Sequence, residues 1–381
     1  KNEEKRLLSG HQWIFSNEIK TVLGDPEPGD IVELLRHDNK FLGIGFYNPN
    51  SLIAFRLLTT EREEIGFPFF ERRIAQAFHL RQRLFPDSGT YRLVHGEGDF
   101  LPGLVIDRYN EYIAVQTFSF GMDRRLTLIC DVLESLFHPR AIIERNESPL
   151  RTLEKLDQRK QVLRGTLDQT IITENGVKFK VDLLAGQKTG TFLDQRENRI
   201  AVRRYVKGTA VLDGFCNEGG FTLHAAASGA ASVHAVDVSE AAIARAKVNA
   251  TINQVNSIDF RVGDAFAALQ SHATAQKQFD VVMLDPPSFT RTKKTIATAL
   301  RAYRELHGLA LGMITPGGFL VTSSCSHHIS QEAFFSTVEA AARTRGRRIQ
   351  LLESAGAGPA HATVTAMPET SYQKFGIIGV Q

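Results

Sequence analysis

Two side chains capable of covalent chemistry follow two apolar, β-like runs in the last third of the chain. Cys325 comes directly after "GGFLVTSS", and Asp285 comes directly after "FDVVML". A cysteine in such a place can be a small buried residue, a metal ligand or a nucleophile. His327 and His328 follow it without the paired spacing of a structural zinc site, so we expect no metal and place both histidines in a loop or at a helix start.

The combination of a thiol and a rigidly held carboxyl group fits attack on a pyrimidine ring. Pro286 and Pro287 each fix φ, and so they hold the carboxyl of Asp285 at the edge of the predicted sheet. C5 of a pyrimidine is a poor nucleophile, but a thiolate that adds to C6 makes C5 reactive enough to take a methyl group from a sulfonium. An exocyclic nitrogen needs no such help, and Ser288 breaks the Pro-Pro-aromatic run of enzymes that methylate such nitrogens. We therefore predict Cys325 as the nucleophile and Asp285 as the acid that stabilises the ring.

The other two cysteines are weaker candidates for the nucleophile. Cys216 lies in the first turn of the predicted cofactor site, on the side of the methyl donor, and Cys130 lies on the apolar stripe of a helix. Three cysteines without metal or redox spacing are typical of a reducing compartment, so we predict a cytoplasmic protein. No stretch approaches the roughly 18 apolar residues that span a bilayer, so no membrane partner is expected.

A series of carboxylates predicts the cofactor. Asp213, Asp237 and Asp264 each follow a β-like run, and the ends of parallel strands form the ligand edge of an α/β sheet. The first turn places Gly219 and Gly220 late and lacks the G-x-G-x-x-G pattern of dinucleotide sites. The three acids suit a cationic amino-acid group, ribose hydroxyls and an adenine amino group, which favours S-adenosylmethionine (SAM) over NAD or ATP. Each acid alone could instead form a turn or begin a helix, so the prediction depends on all three together.

The pattern of elements predicts an α/β protein of three domains. After residue 165 the β-like runs "AVLDGF", "SVHAVDV", "IDFRV", "FDVVMLD" and "GGFLVTSS" alternate with helical segments, which indicates a doubly wound parallel sheet. Asn175-Gly176 predicts a hairpin before them. The N-terminal part alternates short β-like runs with turns. The middle part combines strands with helices near 70–84 and in "MDRRLTLICDVLESLF", and "SPLRTLEKLDQRKQ" fits a charged linker or short helix. We expect boundaries at 1–65, 66–165 and 166–381.

The composition fits a globular protein and leaves nucleic-acid binding open. A chain of 381 residues is too long for one ordinary core, and its 43% hydrophobic and 23% charged residues argue against disorder. The net charge of +3 permits contact with nucleic acid but does not argue for it alone.

Several stretches together resemble one known family. "GQKTGTFLDQRENR", "VLDGFCNEGGFTLHAA", "VDVSEAAIARAKVNA", "FDVVMLDPPSF" and "SSCSHH" are similar to the large-subunit ribosomal RNA cytosine-C5 methyltransferases of the RlmI-like type. "GHQWIFSNEI" and "GFYNPNSLIAFRLL" resemble the PUA domain of that family, and "YRLVHGEGDFLPGLVIDRY" resembles its middle domain. The resemblance covers essentially the whole chain.

The resemblance implies a fold, a reaction and a set of site residues. It implies a small β-rich PUA domain that binds RNA, a central α+β domain and a C-terminal Rossmann-like class I methyltransferase sheet. The residues implied to bind SAM are Phe192, Asp194, Arg199, Asp213, Phe215, Asp237, Asp264 and Asp285. Cys325 would be the nucleophile, and 23S ribosomal RNA or the assembling large subunit would be the substrate. Another branch of RNA cytosine-C5 methyltransferases has a second cysteine where this chain has Ser288, so the base that removes the C5 proton stays unassigned.

The residues just after the catalytic turn are candidates for RNA contact. A cytosine inside a duplex cannot be reached, so the target must be unpaired or flipped out. Phe289 is a candidate to stack on a base, and Arg291, Lys293 and Lys294 are candidates to hold phosphate. For "RTRGRR", at 343–348, we expect a solvated surface instead. The sequence does not tell which nucleotide is methylated or whether the protein is a homodimer.

Two other functions stay open on the sequence alone. A SAM-dependent enzyme could act on a different RNA or on a base nitrogen. Alternatively, the chain could be a non-catalytic RNA-binding factor in ribosome assembly, although a dead site would have no need for the full series of acids.

Overall fold

The computed structural model describes residues 4–290 and 292–381, and their contacts divide the chain into two compact units. The first unit spans Lys1–Ile172, Val181–Leu193 and Pro359–Thr370, and the second spans Thr173–Lys180, Asp194–Gly358 and Ser371–Gln381. Each unit therefore combines segments that are distant in sequence. The predicted boundaries at 1–65, 66–165 and 166–381 stay a prediction.

The N-terminal part of the first unit is a four-stranded antiparallel sheet. Its elements are α1 (Glu4–Leu8), β1 (Trp13–Ile14), β2 (Asp30–Leu35), β3 (Phe41–Tyr47) and β4 (Phe55–Thr59). The strand order is β1-β4-β3-β2, and the turn-rich stretches "GDPEPGD" and "YNPNS" lie just before β2 and between β3 and β4. The short β-like runs of the N-terminal sequence are thus confirmed as strands.

A five-stranded sheet and its helices form the rest of the first unit. The elements are α2 (Phe67–Leu84), β5 (Thr90–His95), β6 (Leu104–Tyr109), β7 (Tyr112–Thr117), α3 (Phe120–Asp123), α4 (Leu126–Phe137), β8 (Ala141–Asn146) and β9 (Arg159–Gly165). The strands run in the order β5 to β9, and only β7 and β8 are parallel among them, joined through α3 and α4. The helix predicted in "MDRRLTLICDVLESLF" is broken at Arg124 and Arg125. Of the predicted charged linker or short helix "SPLRTLEKLDQRKQ", Pro149–Glu154 forms a 3₁₀ helix and the last three residues enter strand β9.

The two sheets of the first unit share one hydrophobic core. Ile44, Phe46 and Leu58 of the N-terminal sheet pack in the same buried cluster as Phe70 of α2 and Ile129 of α4. Residues from both predicted N-terminal domains therefore shield each other from water, which stabilises the unit as a whole.

A hairpin follows the first unit's large sheet. Its strands are β10 (Thr170–Glu174) and β11 (Val177–Val181). Asn175 and Gly176 form the turn with φ of 46° and 85°, the pair of positive values that a two-residue hairpin turn requires. The predicted Asn-Gly hairpin is confirmed.

The second unit is built on a seven-stranded sheet covered by helices. Its elements are α5 (Arg196–Val202), β12 (Ala210–Gly214), α6 (Gly220–Ala227), β13 (Ser232–Asp237), α7 (Glu240–Ile252), β14 (Ile258–Val262), α8 (Ala265–Thr274), β15 (Phe279–Leu284), α9 (Ile296–Met313), β16 (Ile314–Ser324), α10 (Gln331–Thr344), β17 (Ile349–Ala355) and β18 (Lys374–Val380). The order is β14-β13-β12-β15-β16-β18-β17. The five predicted strands are confirmed and are parallel to one another.

The central strands of this sheet are buried on both faces. Leu212 and Val282 contribute to one apolar cluster, whereas their chain neighbours Val211 and Val281 contribute to another. Alternate residues of a strand point to opposite faces, so helices cover both sides and the sheet is doubly wound, as predicted. Across residues 4–290 and 292–381, no helix is both long enough and apolar enough to cross a membrane.

The last strand of the sheet was not predicted. β18 lies between β16 and β17 and is antiparallel to both. Its first residue, Lys374, is paired with Ser324, the last residue of β16. The return of the chain therefore places a lysine beside the strand end that leads to Cys325.

Candidate active site

The predicted acids lie at the edge where the order of the parallel strands reverses. β12 is flanked by β13 on one side and β15 on the other, so the connections leaving these strands diverge. Ligands of open α/β sheets bind at such switch points, beyond the carboxyl ends of the strands. Asp213, Asp237 and Asp285 end or follow β12, β13 and β15.

Asp213 is a buried carboxyl group in the middle of this edge. Its side chain is 1% exposed and accepts a hydrogen bond from the hydroxyl of Thr222 on α6. Burial raises the pKa of Asp213 to about 7, and the neighbouring charges of Asp285 and Asp237 push it in the same direction. The three carboxyl groups thus interact, and a cation bound among them would relieve their repulsion.

The turn after β12 is a tight loop with three positive φ angles. Phe215, Asn217 and Gly219 have φ of 68°, 51° and 85°. This turn directs the backbone N–H of Asn217 at Asp237 Oδ2, at 2.9 Å, and the N–H of Ser239 donates to Oδ1, also at 2.9 Å. Each carboxylate oxygen can accept more than one hydrogen bond, so this arrangement orients Asp237 and leaves it able to bind hydroxyls.

Asp264 lies at the start of α8 and caps it. Its Oδ1 accepts from the backbone N–H of Ala267 at 2.9 Å, and the side chain is exposed. The helix-start role that the sequence left open is therefore present. The contact of Asp264 with an adenine stays a prediction.

Arg199 is buried in an ion pair that the sequence did not identify. Its Nε and Nη2 donate to Glu174 Oε1 and Oε2, each at 2.6 Å, and both side chains are at most 5% exposed. Burial raises the pKa of Glu174, but Arg199 and His224 outweigh it, so the net pKa lies below the usual range. A β-carbon on Gly220 would lie 3.0 Å from Arg199 Cδ, so the start of α6 approaches this arginine closely.

Asp285 is held by two donors that the sequence did not identify. Gln195 Nε2 donates to Asp285 Oδ1 at 2.9 Å, and the hydroxyl of Ser323 donates to the same oxygen. Asn198 in turn fixes the amide of Gln195, since its Nδ2 donates to Gln195 Oε1 at 2.6 Å. Two neighbouring segments, one before β12 and one in β16, therefore orient the carboxyl group.

Cys325 lies close to Asp285 on the neighbouring strand end. β15 and β16 are parallel with Leu284 opposite Thr322, so Asp285 is level with Ser323. Cys325 comes two residues later, about 7 Å further along an extended chain. The hydroxyl of Tyr303, on α9, interacts electrostatically with both Cys325 and Asp285, after the larger effect of burial, which raises the pKa of Tyr303. The thiol is half-buried, and both groups lie at the same edge of the sheet, near the hydroxyl of Tyr303.

The loops that carry these two residues are joined. The hydroxyl of Ser288, three residues after Asp285, lies 2.9 Å from the hydroxyl of Ser326, the residue after Cys325. Ser288 also donates to the carbonyl of Thr290 at 2.7 Å. The serine at the position of the second cysteine in other enzymes thus has a structural role.

The two other cysteines are poorly placed for chemistry. Burial raises the pKa of Cys130 to about 11 and also raises the pKa of Cys216, to which Asp213 and Asp237 contribute. Both are less than 5% exposed. Thiolate formation is therefore disfavoured at both.

Two further residues of the predicted cofactor site are in different units. Asp194, in the second unit, is 2% exposed and accepts from the hydroxyl of Tyr372 at 2.6 Å. Phe192, in the first unit, lies with its ring centroid 4.6 Å from Lys188 Nζ. Their roles in cofactor binding stay predictions.

The predicted RNA-contact residues differ in their exposure to solvent. Phe289 is half-buried, and its ring packs 4.7 Å from the ring of Tyr303, so it contributes to the protein core. Lys293 and Lys294 are exposed in a short 3₁₀ turn. Arg291 lies outside the described residues.

The two histidines after Cys325 lie in a loop, as expected. The ring of His327 stacks on Tyr372, with centroids 5.2 Å apart, and both histidines are exposed. Within residues 4–290 and 292–381, no three His, Cys, Asp or Glu side chains come together as a metal-ion site.

The carboxyl groups at this edge of the sheet fit SAM better than a phosphate-bearing cofactor. Three interacting carboxyl groups repel a diphosphate, whereas a sulfonium and an ammonium group would be attracted to them. Burial disfavours the ionised form of Asp213 and raises its pKa, so a nearby cation would stabilise this carboxylate most.

Comparisons with known proteins identify the domains of the chain and its fold. The family described as PUA-like domain matches residues 1–60, and the family described as S-adenosylmethionine-dependent methyltransferase matches residues 92–363. A solved structure described as a candidate methyltransferase complexed with SAH superimposes with a TM-score of 0.86 at 21% identity, covering 99% of this chain and 97% of that one. At that identity the likeness shows the fold alone.

Curated relatives match over nearly their full length. The ribosomal RNA large subunit methyltransferase I of Pseudoalteromonas atlantica is 40% identical over 377 residues, covering 97% of this chain and 95% of that protein. The protein of the same name from Tolumonas auensis is 38% identical over 382 residues, covering 98% and 96%. The chain therefore belongs to the ribosomal RNA large subunit methyltransferase I family of SAM-dependent methyltransferases and carries a PUA-like domain at its N-terminus.

Proposed function

We propose that this enzyme methylates C5 of a cytosine in 23S ribosomal RNA through a covalent bond between Cys325 and C6. The observation that supports the proposal is a half-buried thiol at the same edge of the sheet as a carboxyl group fixed by Gln195 and Ser323. Methylation of a base nitrogen has no use for such a thiol. The names of the curated relatives support large-subunit RNA as the substrate class.

The proposed chemistry begins with the thiolate of Cys325. Its sulfur forms a bond to C6, the C5–C6 π electrons shift into the ring, and Asp285 donates a proton to N3, which leaves a neutral enamine. Bound SAM supplies an electrophilic methyl group on a sulfonium. C5 would take that methyl group, a base would remove the C5 proton, the C6–S bond would break to return the thiolate, and N3 would return its proton to Asp285. The balance is 5-methylcytosine, S-adenosylhomocysteine and one proton.

The protein's contribution is to orient the carboxyl group of Asp285. Gln195 and Ser323 both donate to Oδ1 of Asp285, so the carboxyl group cannot rotate without losing two hydrogen bonds. A group held near the productive geometry saves the entropy of finding it. The base that removes the C5 proton remains unassigned.

The cofactor would be held by the carboxylate edge described above. We propose Asp213, Asp237, Asp264 and Asp285 as its polar contacts, with Phe192, Asp194, Arg199 and Phe215 around them. Because Arg199 is already paired with Glu174, we propose that it shapes the pocket at the start of α6 more than it binds a carboxylate of SAM.

The RNA would be held by basic and PUA-like surfaces outside the catalytic edge. Lys293 and Lys294 are exposed immediately after the catalytic loop and are proposed phosphate contacts, together with Arg291. An inward-packed Phe289 supports a core role over base stacking. A ribosomal substrate, naked or in the assembling subunit, implies a cytoplasmic enzyme. The names of the relatives do not support the homodimer that the sequence left open.

The test compares Cys325→Ala with Cys216→Ala in cells that lack the native protein. Mass mapping of 23S ribosomal RNA should show one 5-methylcytosine lost in the deletion strain, restored by Cys216→Ala and absent with Cys325→Ala. Calorimetric titration should show that Cys325→Ala still binds SAM. Full methylation of the same carbon by Cys325→Ala would overturn the thiol mechanism, and a methylated nitrogen would identify the other acceptor class. Absence of SAM binding by the native protein would favour a non-catalytic assembly factor.

A further inference from the structure

A buried lysine lies beside the proposed nucleophile. Lys374 is 6% exposed and begins β18, opposite Ser324 at the end of β16. Lysine is rarely buried without a partner for its charge, because an ammonium loses much of its hydration energy in the interior. Its burial here therefore calls for a reason in the surrounding structure.

The ammonium group of Lys374 holds the backbone on both sides of the site. Nζ donates to the carbonyl of Ser326, the residue after Cys325, and to the carbonyl of Tyr372 at 2.8 Å. The first bond fixes the chain just after the cysteine, and the second fixes the chain that leads into β18. They satisfy two of the three N–H groups of an ammonium.

Lys374 has no carboxylate partner in the part of the chain that the structure describes. Among the described residues none forms an ion pair with Lys374, and burial lowers the pKa of Lys374 to about 8, with the sulfur of Cys325 opposing that shift. A thiolate is the form of cysteine that a nearby cation stabilises. A cation at Lys374 therefore favours the thiolate form of Cys325.

We propose that Lys374 is a positioning residue that stabilises the thiolate of Cys325 and holds its loop through the carbonyls of Ser326 and Tyr372. The inference rests on the proposed function, in which that thiolate attacks the ring. It explains why a lysine is buried at the first residue of a strand that otherwise reads "FGIIGV".

The other groups around the thiol act in different directions. Asp285, from the end of β15, disfavours a thiolate whenever its carboxyl group is ionised, and Tyr303, from α9, stays neutral because burial raises its pKa. In the cysteine's own loop, the pKa of His327 is lowered, first by partial burial of the ring, which stacks on Tyr372 but stays exposed on its other side, and then by the charges of Lys374 and His328. Lys374 is therefore a cation beside the thiol that can offset a charge on Asp285.

The test measures the ionisation of Cys325 directly. The full-length protein is alkylated with iodoacetamide between pH 5 and 10, and the Cys325 peptide is quantified by mass spectrometry in the native protein, Lys374→Gln, Lys374→Arg and the exposed control Lys207→Gln. Cys130 and Cys216 serve as slow internal standards, since both are buried. The native rate-against-pH midpoint should lie below that of an ordinary cysteine, about 8.5.

The two substitutions of Lys374 show whether its charge or its shape sets the reactivity of Cys325. Loss of a nearby opposite charge shifts an ionisation by about one to three units, so Lys374→Gln should react at least about tenfold more slowly at pH 7. Lys374→Arg keeps the charge and should recover most of the rate, and Lys207→Gln should match the native protein. SAM titration of each variant checks that the fold is retained.

Two results would overturn the proposal. One is a native midpoint at or above 8.5, which needs no variant and so cannot be confused with misfolding. The other is a Lys374→Gln profile that superimposes on the native one. Because alkylation requires no RNA, a shifted profile combined with full C5 methylation by Cys325→Ala would leave the lysine–thiol coupling standing and refute only the proposed reaction.

Discussion

The buried carboxyl of Asp213 should make SAM affinity depend on pH. Burial raises its pKa to about 7, so about 9% is ionised at pH 6 and about 91% at pH 8. If the cationic ligand binds the ionised form, the apparent Kd scales inversely with that fraction. We expect SAM to bind roughly tenfold more tightly at pH 8 than at pH 6, about 1.4 kcal/mol, by isothermal titration calorimetry.

Two variants that each remove one carboxylate show whether Asp213 causes the pH dependence of SAM affinity. Asp213→Asn should bind SAM weakly and with a nearly constant Kd from pH 6 to 8. Asp264→Asn removes an exposed carboxylate that caps α8 and should retain the tenfold slope. A Kd of the native protein that is flat over this range, or an Asp213→Asn variant with the native slope, would refute the reasoning.

The same group should affect the stability of the protein without ligand. The folded-state pKa of Asp213 lies above the unfolded value, so the folded protein holds the proton more tightly. The free energy of unfolding should therefore fall as pH rises from about 4 through about 7. A shift of about three units corresponds to roughly 4 kcal/mol, as an order of magnitude. Urea denaturation at pH 8 should show Asp213→Asn to be more stable than the native protein.

Two further substitutions test the supports of the site. Glu174→Ala leaves the buried Arg199 without its carboxylate, and we expect a loss of about 3–5 kcal/mol in urea denaturation, largely recovered when Arg199→Met is added; an unchanged midpoint would mean that the pair does not form. Tyr303→Phe removes the hydroxyl that donates to Ser324 Oγ at 2.8 Å and should cost about 1 kcal/mol by the same measurement, with SAM affinity unchanged. A loss of SAM affinity in Tyr303→Phe would instead place the tyrosine in the cofactor site.

The parts of the site that the sequence predicted depend on local patterns. Asp213 and Asp237 each stand at the end of an apolar run, and such a run specifies both a buried strand and the point where it ends. The placement of Asp285 beside Cys325 follows because consecutive parallel strands end at the same edge. The Asn175-Gly176 turn needs only two residues to define it.

The parts that were missed depend on contacts between distant residues. Glu174 and Arg199 are 25 positions apart, and nothing near either one shows that they pair. "KFGIIGV" indicates a strand, but whether it lies at the edge of the sheet or within it is decided by long-range pairing. Lys374 therefore gave no signal of its position beside Cys325. Strand β9 was missed for a different reason. Its charged residues "RKQVLRG" lack the apolar alternation of a half-buried strand.

The insertion of β18 between two earlier strands has a consequence for biosynthesis. β17 pairs only with β18 among the described strands, so a nascent chain that has reached β17 has no place to dock it. The five parallel strands can assemble as they emerge from the ribosome, whereas the sheet closes over its last gap only after residues 374–380 have followed. The cation beside the cysteine arrives with that final strand, so a partly synthesised enzyme would carry the thiol without its activating partner.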